Sequence, residues 1–334
     1  MSMKELSMDR ICRKSYNERD LYTIRGKGMT LQQLKYLVTV AECGSISEAA
    51  QKLFISQPSL SAAIQNLEKE MGVTAFSRSS KGVVITREGE ELLAYSRMLL
   101  EQADIMQEHF GKDKNRTPKF SVSCQHYSFA VNAFVDLVKQ YDASQYNFIL
   151  RETQTGEIID DVAQGKSEVG ILYLSAHNEE VLTKLMKKNG LVFEELFVAE
   201  PHVFICREHP LANKKEITLD DLQPYPYLVY EQGERNSFYF AEEFLSMLDF
   251  PKNIQVRDRA TLFNLVIGLN GYTVSSGVIS KELNGENIIA KPLLVDEYMK
   301  IGTITQKNMA PSRYGAVYME ALRHHIDQAD SSLV

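Results

Sequence analysis

Four cysteines, Cys12, Cys43, Cys124 and Cys206, are all that 334 residues contain, and no two of them form a C-x-x-C pair. That scarcity excludes a disulfide framework and a cysteine-built structural zinc site, and it fits a reducing cytoplasm. No apolar run is long enough to span a membrane. Residues 1–28 are polar and lack an apolar core segment, so no Sec-type leader is expected. The chain has no P-loop, no nucleophile elbow and no metal-binding helix motif. Cys124 and His126 are close in sequence, but no third residue is evident to orient them for nucleophilic catalysis. Neither an enzyme nor a cofactor or metal requirement is expected. Repeats and low-complexity segments are also missing.

Excess charge is scarce too, and its distribution matters more than its total of −7. Residues 1–28 carry +3, residues 29–87 carry +2, residues 88–111 carry −5 and residues 112–334 carry −7. Phosphate contacts therefore belong to the amino-terminal third. So small an excess favours an assembly of two or more copies wherever phosphate contacts are made.

What is present begins at Thr30. Thr30 and Gln33 have capping-box spacing for a helix bearing Leu31, Leu34, Val38 and Ala41, which Gly44 ends. Ser47 is expected to cap a short helix through Ala49, Ala50 and Leu53. After a tight turn, Ser56 caps a longer helix, with Pro58 in its first turn and Gly72 as its stop. Leu60, Ala63, Ile64, Leu67 and Met71 form its apolar face. Gln57, Ser59, Ser61, Gln65 and Lys69 form the other, polar and mostly uncharged. An ordinary three-helix core explains the apolar positions but not a Gln-Pro-Ser-x-Ser first turn. A short helix, a tight turn and a second helix with such a face suit a major groove, where Gln and Ser hydrogen-bond base edges. From Thr74 to Thr86 the chain reads as a basic wing: Gly82-Val-Val-Ile is β-capable, and Arg78, Lys81 and Arg87 are placed to touch phosphates.

The runs Leu31-Gln-Gln-Leu-Lys-Tyr-Leu, Gly44-Ser-Ile-Ser-Glu-Ala-Ala, Ser56-Gln-Pro-Ser-Leu-Ser, Ile64-Gln-Asn-Leu-Glu, Met71-Gly-Val-Thr-Ala-Phe-Ser-Arg and Thr86-Arg-Glu-Gly together resemble the LysR-type transcriptional regulators. The resemblance implies that Gln57, Pro58 and Ser61 lie at the groove and Arg78 on the wing near phosphate. Many members carry Arg after the second serine, where this chain has Ala62, so an operator cannot be carried over.

A long helix is expected from Thr86 to about Phe110. Leu92, Leu99 and Met106 recur every seven residues, with Ser96, Ala103 and Phe110 four positions later and Leu93 and Leu100 widening the stripe. Such a stripe needs a partner, and a second copy of the chain is the simplest; the resemblance assigns the helix to dimerisation. Gly111 to Pro118 reads as a hinge. Beyond it strands alternate with helices, among them Phe129–Tyr141, Ile158–Gln164 and Phe238–Leu248, which implies mainly parallel sheets with covering helices. This half is similar to the family's effector-binding domain, two α/β lobes like periplasmic solute-binding proteins. Gly156-Glu-Ile-Ile-Asp-Asp-Val-Ala-Gln-Gly-Lys-Ser-Glu-Val-Gly-Ile, Glu208-His-Pro-Leu-Ala and Leu219-Asp-Asp-Leu carry that similarity. The expected organisation is an α/β protein overall. An extension (residues 1–28, disordered, or upstream of a true start at Met29) precedes a mainly α winged helix-turn-helix (29–87), a linker helix (88–111) and a hinge (112–118). The effector-binding domain (119–334) follows, with lobe I at about 119–195 and 297–334 and lobe II at about 196–296.

In open α/β sheets ligands bind beyond the carboxyl ends of strands, at helix N-termini. That rule nominates Ser123, Cys124, Gln125, His126 and Ser128 after the first strand of this half, Thr153 and Thr155 after the second, and Tyr173 after the third. Tyr230 and Gln232 follow a strand of the second lobe. Ser123, Ser128, Thr153 and Thr155 also suit plain helix capping. The hydroxyls and helix N–H groups favour a carboxylate, and the tyrosines a small organic body; Glu231 suits either a cationic group or solvent. The expected function is a cytoplasmic, ligand-responsive transcriptional regulator. Its partners are double-stranded DNA, a small-molecule effector and further copies of itself as homodimer or homotetramer, with RNA polymerase a further candidate and no membrane. The alternative is a thiol-based redox regulator using Cys124 and Cys206, eighty-two residues apart.

Overall fold

The structure is a computed structural model that describes residues 28–79, 82–110, 117–141, 145–233, 237–243, 245, 250–279, 285–307 and 309–333. Residues 1–27 of the extension, Lys81, most of the 112–118 hinge and most of the carboxyl half of the expected 238–248 helix lie outside the described residues, as does the Arg78 side chain. The chain divides into two units, one ending at Leu100 and the other beginning at Glu101.

The first unit is built by its caps. Helix α1 (Leu31–Cys43) starts at the Thr30/Gln33 capping box and stops at Gly44, whose φ of 62° is the left-handed value that glycine tolerates best. Helix α2 (Ile46–Lys52) is capped by Ser45, two residues before the expected Ser47, because the Ser45 side chain accepts from the Glu48 N–H. Helix α3 (Gln57–Met71) begins at Ser56 and ends at Gly72. Leu34, Leu37, Val40, Ala49, Ala50, Leu60, Ile64 and Leu67 form the core of these three helices. Strands β1 (Phe76–Ser79) and β2 (Gly82–Ile85) pair antiparallel as the wing. Helix α4 (Arg87–Phe110) follows. Thr86 Oγ1 accepts from the Gly89 N–H at 2.9 Å and donates to the Thr74 carbonyl. A side chain at Gly89 would put its Cβ 2.1 Å from the Ala75 carbonyl oxygen, so the Thr-Arg-Glu-Gly run is the signature of a close helix-to-strand approach.

The second unit contains two sheets of the same plan. In lobe I, β3 (Lys119–Cys124), β4 (Asn147–Glu152) and β5 (Val169–Leu174) are parallel, and β6 (Leu191–Ala199) belongs to the same sheet. In lobe II, β7 (His202–Cys206), β8 (Tyr227–Tyr230), β9 (Asn253–Val256), β10 (Thr273–Ser275) and β11 (Ile288–Pro292) follow, and β12 (Met299–Gln306) returns to lobe I. The lobe I order is β4-β3-β5-β12-β6, with β12 antiparallel to both neighbours. Lobe II has β8 parallel to β9, and β10 and β11 on either side of β7, both antiparallel to it. A parallel bridge between Tyr227 and Tyr272 joins the two parts, giving the order β9-β8-β10-β7-β11. In each sheet four strands run one way and one runs against them, β12 in lobe I and β7 in lobe II, so the expectation of mainly parallel strands holds with one reversed strand per lobe. The whole of β6 pairs with β12, which moves the lobe boundary from residue 196 to beyond Ala199.

Helices α5 (Ser128–Gln140), α6 (Thr155–Ala163) and α7 (Glu179–Lys188) accompany the lobe I strands. The short α8 (Leu219–Leu222) and α9 (Arg259–Leu269) belong to lobe II, and α10 (Arg313–Leu333) ends the chain. In lobe I the β3-to-β4 crossover is α5. Its counterpart in lobe II, between β8 and β9, was expected to be a helix from Phe238, yet residues 237–243 form turns and bends. Among the described residues, no helix is long and apolar enough to cross a membrane.

Candidate nucleic-acid and effector sites

The first turn of α3 sorts the expected DNA-reading residues into two groups. Ser56 Oγ accepts from the Ser59 N–H at 3.2 Å and lies 2.7 Å from Ser59 Oγ, so these two serines hold the cap together. Gln57, Pro58 and Gln65 are exposed, Ser61 is half-buried and Arg87 is exposed. The exposed amides of Gln57 and Gln65 can each present a donor and an acceptor together to a base edge.

In the second unit, five of the expected effector residues converge from both lobes. Gln125, fully buried beyond the end of β3, is the hub. Its Nε2 donates to Thr155 Oγ1 at 2.7 Å, and its Oε1 accepts from the Tyr173 N–H at 3.0 Å and from the Tyr127 hydroxyl at 3.1 Å. The Thr155 N–H, first in α6, donates across to Gln232 Oε1 of lobe II at 3.2 Å. The His126 ring stacks on the Tyr230 ring at 3.7 Å between centroids, with the planes 5° apart. At Gly233 lobe II comes so near that a Cβ would stand 2.7 Å from Gln154 Oε1.

Other nominated residues stand outside this network or join it only in part. Ser123 faces away from this cluster: its hydroxyl donates to Asp161 Oδ2 and contacts Ser167 Oγ, each at 2.8 Å. Asp161 is also paired with Arg151 and Lys166, so Ser123 belongs to a structural knot under α6. The Cys124 thiol lies in the lobe I core and Thr153 donates to Glu157 in its own lobe. Tyr173 joins through its backbone, its ring buried in the core. Ser128 reaches across to the Val278 carbonyl at 3.5 Å. Glu231 is paired with Arg257 on the surface. The His126 side chain is nearly buried.

Four charged residues escaped the sequence reading. Glu242 Oε1 accepts from the His126 N–H at 2.6 Å, and its Oε2 lies 2.7 Å from His126 Nδ1. Glu243 Oε1 accepts from the Tyr230 N–H at 2.6 Å, while its Oε2 is buried without a partner among the described residues. Glu152 of lobe I pairs with Arg259 of lobe II. The adjacent acids of an otherwise apolar stretch, Phe238 to Leu245, were the available signal.

Burial shapes the proton affinities. It would lower His126, but the Glu242 charge and hydrogen bond override it and hold the imidazole above its ordinary value. Burial raises Glu152, and burial with the neighbouring Glu242 charge pushes Glu243 well above the carboxylate range. Burial likewise pushes the Cys124 thiol well up, which opposes thiolate chemistry. Cys206 donates to Asn270 Oδ1 at 3.6 Å.

Raising the pH should loosen this cluster. A group whose pKa is raised by folding contributes stability that is full below its unfolded value and fades as pH climbs through the raised one. For Glu152 and Glu243 the decline starts above 4.5, and for His126 above 6.5. The thermal midpoint of the effector unit is expected to fall between about pH 5 and 8, and Glu243→Gln should flatten the fall. A midpoint that rises over this interval would contradict the assignment.

A winged helix-turn-helix unit and a two-lobed α/β unit on one chain define a class, the ligand-responsive DNA-binding regulators. Residues 31–90 match the bacterial regulatory helix-turn-helix protein, lysR family, and residues 124–327 match the LysR substrate binding domain. The chain belongs to the LysR family and is a DNA-binding transcriptional regulator with an effector-binding domain. It is 31% identical over 214 residues to the uncharacterized HTH-type transcriptional regulator YnfL of Escherichia coli (strain K12), covering 63% of this chain and 68% of that one. It is 27% identical over 255 residues to the HTH-type transcriptional regulator AlsR of Bacillus subtilis (strain 168), covering 75% and 78%. Among solved structures, a full-length OxyR variant from Pseudomonas aeruginosa shares the fold at 21% identity, with a TM-score of 0.58 and coverage of 90% and 95%. CbnR, a LysR family transcriptional regulator, does so at 19% identity, with a TM-score of 0.52 and coverage of 89% and 99%.

Proposed function

We propose that a small carboxylate-bearing molecule binds between the two lobes and alters operator binding by the first turn of α3 and the wing. The observation that carries the reading is a missing pair of caps. Neither α5 nor α6 has a side-chain cap of its own, although their first N–H groups need acceptors. Lobe II supplies polar groups there instead, Glu242 just ahead of α5 and Gln232 at α6. A ligand with suitably spaced oxygens would bridge the same donors, at the positive ends of two helices. The protein works in the cytoplasm as a homodimer or homotetramer, with RNA polymerase as a further partner. The thiol-sensing alternative has less support, because the Cys124 thiol is buried and held protonated.

A thermal-shift screen of small carboxylates and amino acids tests the sensing half, since a ligand that binds only the folded state raises the midpoint. Among the hits, at least one should change operator affinity; a panel without effect on either would remove the reading. On the DNA side, Gln57→Ala is expected to weaken binding to the specific operator by about 1–3 kcal/mol and to leave random duplex almost unaffected. Arg78→Ala should weaken both alike, as loss of a phosphate contact does. Fluorescence anisotropy at one fixed salt concentration separates them. Equal losses on both duplexes for Gln57→Ala would take away its base-reading role.

A further inference from the structure

We infer that the interlobe site is liganded by its own chain: the Glu242 carboxylate occupies the position that an effector's carboxylate would take, and an effector enters by exchanging with it. This rests on the reading of that site as the effector site and adds the way it is gated.

The geometry is that of a ligand contact more than of a surface ion pair. Glu242 and His126 are 116 residues apart and lie in opposite lobes. Both carboxylate oxygens are used, one on the His126 backbone N–H at 2.6 Å and one 2.7 Å from Nδ1 of the same residue. The two side chains are only 5% and 7% exposed. His126 stands two residues ahead of α5, a helix of 13 residues whose N-cap, Tyr127, offers no side-chain oxygen. A carboxylate here meets an N–H donor, an imidazole and the positive end of a helix together, which are the requirements of an anion site.

A second, independent observation is that the neighbouring carboxylate is incompletely satisfied. Glu243 is 2% exposed; its Oε1 takes the Tyr230 N–H, and its Oε2 has no partner among the described residues. Arg259 Nε, on the ion pair that crosses to Glu152, is also buried without one. A closed core that served only stability would not be expected to leave a carboxyl oxygen and a guanidinium nitrogen unpaired, since each costs desolvation free energy. Exchange relieves this: a ligand carboxylate takes over the His126 contacts, Glu242 returns to water, and a donor elsewhere on the ligand can meet Glu243. The segment that carries both acids, residues 237–243, is turns and bends where lobe I has the regular α5, so moving its side chains breaks no helix or sheet ladder.

Acetate is the probe. Glu242→Ala removes a group of about its size. A tethered carboxylate competes at an effective concentration of roughly millimolar or more. In the full-length wild type, free acetate should therefore add nothing beyond an equal concentration of chloride. In Glu242→Ala the thermal midpoint in chloride should fall, and acetate should restore it saturably, with an affinity at least about 10-fold above that of the wild type. Glu231→Ala, which removes a surface carboxylate of the same lobe, should show no such restoration. If Glu242→Ala does not fold, Glu242→Gln keeps the shape and loses the charge, and its acetate affinity should likewise exceed that of the wild type. Variants and wild type that respond alike to acetate would overturn the inference. The carboxylate screen on wild type with operator DNA tests the effector reading separately, so a failure of either is recognisable.

Discussion

Replacing Leu99 with glutamate is expected to yield a monomer that no longer holds its operator while the effector unit stays folded. Helix α4 carries two apolar surfaces with different duties. Leu93 is buried in the core of the first unit, and Leu92 and Leu100 pack against it. Tyr95, Leu99 and Met106, at i, i+4 and i+11, form one row and remain 57%, 45% and 59% exposed. Three large side chains exposed in line on an otherwise acidic helix are the features expected of a seam for a second copy. A charge introduced at Leu99 would have to be desolvated in that seam without a partner, which is strongly unfavourable. The effect on DNA should be larger than that on association. Residues 29–87 carry a net charge of only +2, so one copy makes few phosphate contacts. Linking two such heads strengthens binding by about 10²–10⁴, and the monomer loses that factor. Light scattering, operator binding and circular dichroism together check the result. A Leu99→Glu protein that stays dimeric would place the main interface on another surface.

The sequence was most legible where one residue decides one feature. Thr30 with Gln33, Ser56, Gly44 and Gly72 fix the helix ends of the first unit, because unpaired backbone groups there demand particular side chains or a left-handed residue. The linker stripe was legible only in part: a seven-residue recurrence does not say which apolar positions serve the chain's own core, and α4 uses Leu93 for that. Of the residues the strand-end rule nominated, Gln125, His126, Thr155, Tyr230 and Gln232 come together, while Ser123 and Cys124 do not join them. Those two are the last residues of β3 and still within the ladder, so their side chains point to opposite faces of the sheet, not off its end. Gln125, His126, Thr155 and Gln232 lie beyond the ladders, and Tyr230, the last residue of β8, joins them through its ring. Glu242 and Glu243 were hidden for another reason. The periodicity from Phe238 suggested a helix, and nothing local reveals that lobe I supplies the donor for Glu242 and the end of β8 the donor for Glu243.

Gln125→Leu should be the most disruptive single change in the effector unit. The side chain is fully buried, and leucine fills nearly the same volume, so the loss is one of hydrogen bonds and not of packing. Gln125 joins three pieces of chain: the loop ahead of α5 at Tyr127, the first residue of α6 at Thr155 and the last residue but one of β5 at Tyr173. With leucine there, the Tyr173 N–H and the Tyr127 hydroxyl lose their acceptor inside a dry core. Each buried donor left unsatisfied costs about 1–3 kcal/mol, so the pair should cost about 2–6 kcal/mol. In a unit of this size each kcal/mol moves the midpoint by about 2–4 °C, and calorimetry should show the effector-unit transition lowered by roughly 4–24 °C. The helix-turn-helix unit has its own core, formed by α1 to α3, and its transition should not move. Ligand response should be lost as well, because Gln125 holds the Thr155 hydroxyl at the start of α6 and so sets where that helix end stands. A shift of under about 2 °C would mean that both donors find other acceptors, and Gln125 would then be a neighbour of the site without being its hub.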